Sequence, residues 1–177
     1  VASMPSLPSA MAELASIGSA FPQDDALLIT GEAATESGVR AAPLRDFRVL
    51  AFATHGLVSG QIRGLDEPAL VLTPGSALDG PSNDGLLKAS EIVDLDLEAD
   101  WVVLSACNTA AGDGRGTATY NGLARAFQLA GARSLLLSHW PVRDDAAASI
   151  SVATVRGANE GLSRSEALRQ AQLALLE

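Results

Sequence analysis

Three short apolar runs limit what this chain can fold into more than any other feature: FRVLAFA at 47–53, WVVLS at 101–105 and RSLLLS at 133–138. Runs of this length, built from Val, Leu and Phe without alternating polar residues, read as strands buried on both faces. Between the second and third, Leu123, Ala126, Phe127 and Ala130 recur at offsets of three and four, an amphipathic helix over 121–130 that Gly131 stops. Strands that alternate with helices predict an α/β fold, a sandwich around a mostly parallel sheet. In such a sheet ligands bind beyond the carboxyl ends of the strands.

Weaker signals fill in the order. Met11 to Ile17 has faint helical periodicity, Ala26 to Thr30 reads as a short buried strand, and 35–42 as a helix that Pro43 ends. Ala69 to Thr73 is a further strand, 74–85 an irregular loop, and 88–95 a short helix. The stretch AGDGRGTAT at 111–119 reads as loop. Two helices close the chain, over 145–157 and 164–177, the second opened by Ser163 and Glu166 as a reciprocal capping box. With 177 residues, 47% of them hydrophobic and 4% aromatic, the chain suits one domain with an aliphatic core.

A net charge of −9 argues against nucleic acid and anionic membranes as direct partners. A single cysteine rules out an internal disulfide framework and the Cys-rich metal patterns, so neither metal nor cofactor is expected, and a cytoplasmic setting is the default. No apolar run approaches the roughly 18 residues of a membrane span, and no signal segment opens the chain. The opening at Val1 and the stop within the apolar helical pattern of Leu175 and Leu176 lead us to expect a longer parent chain.

Two predicted strands run into residues able to do chemistry, His55 after FRVLAFAT and Cys107 after WVVLSA. Parallel strands would bring both to one rim, where a thiol beside an imidazole becomes a thiolate nucleophile assisted by an acid and base. Their separation is 52 residues, and the caspase pattern places its histidine roughly 50 residues before the nucleophile. The competing reading makes Cys107 a buried small hydrophobe and His55 a turn residue.

The strings THG at 54–56, DGLLKASEI at 84–92, LSACNTA at 104–110, GLARAFQLAGARSLLLSHWPV at 122–142 and SRSEALRQAQLALL at 163–176 resemble the CHAT family. This family belongs to the caspase-like peptidases, with caspases, separase and the gingipains. The resemblance covers nearly everything from Ala26 onward, and divides the chain into a poorly marked segment 1–25 of the same domain and a caspase-like domain at 26–177. It implies a three-layer caspase-like sandwich and a cysteine endopeptidase. His55 would act as base and acid, and Cys107 as nucleophile through a thioester acyl-enzyme. The backbone amides of Gly56 and Cys107 would form the oxyanion hole. Family members commonly follow helical-repeat regions, implied as partners of the domain beside its protein or peptide substrate.

Asp144, in HWPVRDDAA, resembles the separase aspartate that holds a substrate arginine, a pairing that suits carboxylate and guanidinium geometry. Asp144 or Asp145 is equally placed to cap the helix that follows. Trp140 would line the substrate groove, whereas Trp101 reads as a packing residue. His139 lacks the paired ligands of a metal site and Asp113 suits a turn. The glycines at 112, 114 and 116 lack the Gly-Lys-Ser/Thr ending of a phosphate loop. Two rival functions remain open: a catalytically silent CHAT module acting as a regulatory or interaction domain, and a Cys-His amidotransferase. The amidotransferase needs its nucleophile turn to lead straight into a helix, where a loop over 108–119 is expected.

Overall fold

The computed structural model describes residues 4, 7–76, 83–105, 116–138 and 142–176, with side chains omitted for 116–121. Cys107, Asp113, His139 and Trp140 therefore lie outside the described residues, as do Gly112 and Gly114.

The chain folds as an α/β sandwich. Strands β1 (Val49–Phe52), β5 (Trp101–Leu104) and β6 (Leu135–Leu137) form a parallel sheet in the order β1-β5-β6. Strands β2 (Gly56–Leu57), β3 (Ala69–Val71) and β4 (Leu86–Lys88) form a separate antiparallel sheet. Helices α1 (Ala10–Gly18), α2 (Glu36–Ala41), α3 (Ala89–Val93), α4 (Gly116–Leu129), α5 (Asp144–Asn159) and α6 (Arg164–Leu173) surround them.

The apolar runs explain the layers. Side chains alternate across a strand, so Leu50, Val102, Leu104, Leu135 and Leu137 share one face of the parallel sheet and pack with Ile92 of α3 and with Leu123, Ala126 and Phe127 of α4. Val49, Ala51, Trp101, Val103 and Leu136 share the other face and pack with Ile17 of α1 and Val152 and Val155 of α5. Both faces need apolar residues, which is why these strands read as continuous hydrophobic runs. The antiparallel sheet closes its own small core of Leu57, Leu65, Ala69 and Leu86.

Helix boundaries follow local chemistry. Thr35 caps α2 by accepting from the Gly38 amide at 3.0 Å. At the end of α4, Gly131 adopts φ +115°. Its amide donates to Gln128 O at 3.1 Å and the Ala132 amide donates to Phe127 O at 2.9 Å, the double closure of a Schellman motif.

Four local expectations are corrected. Ala26 to Thr30 belongs to no sheet: the segment is unpaired, with Leu27 and Leu28 52% and 50% exposed, because β1 has no partner on that side among the described residues. The loop expected over 111–119 gives way to helix from Gly116, since Thr117 to Tyr120 continue the α4 register without a breaker. Only half of the capping box forms: Ser163 Oγ accepts from the Glu166 amide at 3.2 Å, while the Glu166 carboxylate turns instead to Arg169 and Gln170. The two donors hold Glu166 down at about 2. Finally, Arg143 is the N-cap residue of α5, with Asp144 as the first residue of the helix, so neither aspartate is its N-cap.

Candidate active site at the carboxyl rim

The two rims of the parallel sheet have different chemistry. At the amino rim the Asp100 carboxylate accepts from Arg48 Nε and from Arg133 Nη1, each at 2.6 Å. Its carbonyl takes bonds from Ser134 Oγ at 2.9 Å and Arg164 Nη1 at 3.0 Å. The two guanidinium donors push the Asp100 carboxyl below its ordinary range. The Arg164 guanidinium also lies 5.6 Å from the centre of the buried Trp101 ring, a packing role for this tryptophan. All of this ties strand starts together and is structural.

At the carboxyl rim β1 leads within three residues to His55. The ladder pairs Phe52 with Leu104, and the Ser105 amide extends it by donating to Phe52 O at 2.9 Å. His55 follows Phe52 by three residues, and Cys107 follows Leu104 by three. The interval between the two residues in sequence thus equals the register offset of the strands that precede them.

From His55 the chain turns directly into β2. The His55 carbonyl accepts from the Val71 amide at 2.8 Å, and Thr54 Oγ1 donates to Val71 O, which pins the half-buried His55 from behind. Gly56 pairs with Leu70. Antiparallel ladders alternate between bonded and non-bonded pairs. Since 55 and 71 are a bonded pair, Gly56 falls in a non-bonded one and its N–H faces away from β3, toward the open edge of the sheet.

Asp144 is half-buried and its Oδ2 accepts from the Ser9 amide at 2.9 Å, so it caps the start of α1 rather than its own helix. Asp145 is exposed and forks with Arg143, at 3.0 and 2.6 Å.

Sequence reasoning missed one group at this rim. Glu13 of α1 is only 4% exposed, and its carboxylate accepts from Ser105 Oγ. Ser105 Oγ lies 2.8 Å from the buried Ser151 Oγ of α5. Burial raises the Glu13 carboxyl above its ordinary value, against the two serine hydroxyls that favour its ionised form, and nearby Asp144 raises it further. The signal was available: Glu13 stands one helical turn before Ile17, so the two share a stripe that must pack inward.

A second buried carboxylate, Glu36, is fully enclosed and accepts from the amides of Gly85 and Leu86 at 2.7 and 3.1 Å. It fixes the start of β4 to α2, and burial raises its carboxyl. A cleft of about 1470 Å³ follows the open edge of β1, between it and the unpaired 26–30 segment, and is lined by Leu14, Leu28, Val49, Ala51 and Thr54 among others. His55 is not in its wall, and we assign it no chemistry. Among the described residues no three His, Cys, Asp or Glu side chains gather as a metal site, and no helix is long and apolar enough to cross a membrane.

The model of one protein family, described as CHAT domain, matches residues 1–177. No curated protein matches the chain.

Proposed function

The chain belongs to the CHAT domain family, related to the caspase-like cysteine peptidases, and on that premise we propose that it is a cysteine endopeptidase working through His55 and Cys107. The observation that carries the proposal is the register: β1 and β5 are neighbours in a parallel sheet, and the two residues follow a directly paired Phe52 and Leu104 by the same number of positions in sequence.

The Cys107 thiolate attacks the scissile carbonyl carbon, with His55 having taken the thiol proton. The carbon–nitrogen bond breaks, His55 returns the proton to the leaving amine, and a thioester remains. Water, deprotonated by His55, then attacks the thioester, releasing the carboxylate product and the thiol. Charge on the carbonyl oxygen during both steps calls for preorganised donors. The outward-facing Gly56 N–H supports its assignment to that hole, together with the Cys107 amide.

Arginine before the scissile bond is the preferred specificity. Asp144 would supply the carboxylate: one oxygen is taken by Ser9 and the other accepts no bond among the described residues. Trp140 would line the groove. A cytoplasmic setting and helical-repeat neighbours in the same protein belong to this reading.

The test is cleavage of arginine and aspartate peptide reporters by wild type and Cys107→Ala. Loss of arginine-reporter cleavage in the variant is expected; equal rates would remove Cys107 from the mechanism. Failure of both reporters, with Cys107 no more reactive toward an electrophilic peptide ketone than a model thiol, would favour the silent regulatory module instead.

A further inference from the structure

We propose that Glu13 is a positioning residue for Cys107, acting through Ser105 and Ser151 on the end of the strand from which the cysteine-bearing segment departs. The inference rests on the peptidase reading for its purpose, although not for its test.

The case begins with cost. A carboxylate taken out of water without a cation beside it is expensive, and the partners of Glu13 among the described residues are serine hydroxyls. The rest of the same sheet face is apolar, with Ile17, Trp101, Val103 and Val155 packed together. A leucine at position 13 would continue that packing at no such cost. The acid is therefore placed for what it holds.

It holds Ser105, and Ser105 is fixed from two sides. Its amide donates to Phe52 O, which locks the strand end to β1 at the point where β1 leads to His55. Its hydroxyl donates to Glu13 and lies 2.8 Å from Ser151 Oγ, the second serine hydroxyl that bonds with this carboxylate. Helices α1 and α5 thereby clamp one side chain two residues before Cys107. The neighbouring strand repeats the theme: Ser138 follows β6 in register with Ser105 and shares the face of Leu136. Its buried hydroxyl has no hydrogen-bond partner among the described residues. Glu13, Ser105 and Ser151 thus tie α1 and α5 to the end of β5, two residues in sequence before Cys107.

Cys107 is the only cysteine, so alkylation of the full chain by iodoacetamide reads one site. Alkylation rate is followed against pH for wild type, Glu13→Gln, Glu13→Leu, Ser105→Ala and the Glu13→Gln/Ser105→Ala double variant, with exposed Glu160→Gln as control. Thermal unfolding is measured on each. We expect a rate change of about tenfold or more in Glu13→Gln and Ser105→Ala while both stay folded. We expect the double variant to match the larger single effect, because both cut the same linkage. Glu13 and the Asp144 that faces it from α5 are the described acidic groups at this point, and Glu13 ionises above its ordinary range. The wild-type profile should accordingly bend at the Glu13 ionisation as well as at that of the thiol, and Glu13→Gln should lose the lower bend.

A purely structural glutamate would shift unfolding and leave the alkylation profile of the folded protein in place. Rates and profiles within about twofold of wild type in both Glu13→Gln and Ser105→Ala would overturn the proposal. If Glu13→Leu fails to fold, the glutamine variant still decides. Because alkylation needs no substrate, a protein that cleaves no peptide refutes the peptidase reading while leaving Glu13 open to the same measurement.

Discussion

Replacing Phe127 by Ala is the sharpest test of how the sheet is supported. Phe127 is fully buried in the face of α4 that covers β1 and β5, and its ring centre lies 5.4 Å from that of Phe52 at a 46° tilt. Truncation removes the transfer energy of the ring, leaves a cavity that a close-packed layer fills only in part, and loses the aromatic pair. Together these cost about 3–5 kcal/mol. At about 2–4 °C per kcal/mol for a domain of this size, the midpoint of thermal unfolding should fall by roughly 6–20 °C. Urea unfolding followed by circular dichroism gives the free energy directly, with an unchanged slope showing that the same surface is exposed. Two residues further along the same helix, Leu129 is 63% exposed, and Leu129→Ala should stay within about 0.5 kcal/mol of wild type. A loss below about 1 kcal/mol for Phe127→Ala would refute the assignment of this ring to the packed core.

Other consequences can be measured with the same methods. Gly131→Ala should destabilise by about 2 kcal/mol or more, because a left-handed backbone is strained for alanine and its Cβ would stand 2.0 Å from Leu97 O; a loss under about 0.5 kcal/mol would remove the Schellman closure as a constraint. The Asp100 carboxyl is lowered by Arg48 and Arg133, so its stabilisation is present above the ordinary carboxylate value and is lost as the pH falls through the depressed one. Asp100→Asn should flatten the acid limb of stability against pH, and an unchanged limb would contradict the hub. Phe52 O accepts from β5 and β1 has no outer partner among the described residues, so the amides of Val49 and Ala51 face away from β5 and should exchange hydrogen faster than those of Leu50 and Val103. Equal protection would mean that a strand covers this edge.

The parallel layer was legible because burial on both faces leaves an unmistakable mark: WVVL has no polar residue to give either side to solvent, and all four of its residues are buried in β5. The end of α4 was equally readable from Gly131, whereas the cap formed by Thr35 came only with the structure. Ala26 to Thr30 misled for the complementary reason. Its composition suits a strand, but a strand is completed by hydrogen bonds to a neighbour, and no local pattern reports whether that neighbour is present. The antiparallel sheet was half visible: β3 was expected, whereas the two residues of Gly56–Leu57 are too few to show any period.

At the rim, sequence reasoning proposed the residue types, and the structure supplies the register of the strands that precede them. The 52-residue interval between His55 and Cys107 carries little information alone, since many folds could separate them by that distance. It gains meaning once Val49 is found opposite Trp101, because the same interval then measures the stagger of two adjacent strands. Glu13 shows the converse limit. A glutamate in a weakly periodic helix passes for a solvated residue until α1 is placed against the sheet, where the turn shared with Ile17 points inward and leaves the carboxylate nowhere to go but to Ser105. Buried polar groups are the positions where local sequence preference and tertiary structure disagree most, and such disagreements concentrate at functional sites. That is the physical ground for including α1 in the site proposed at the carboxyl rim.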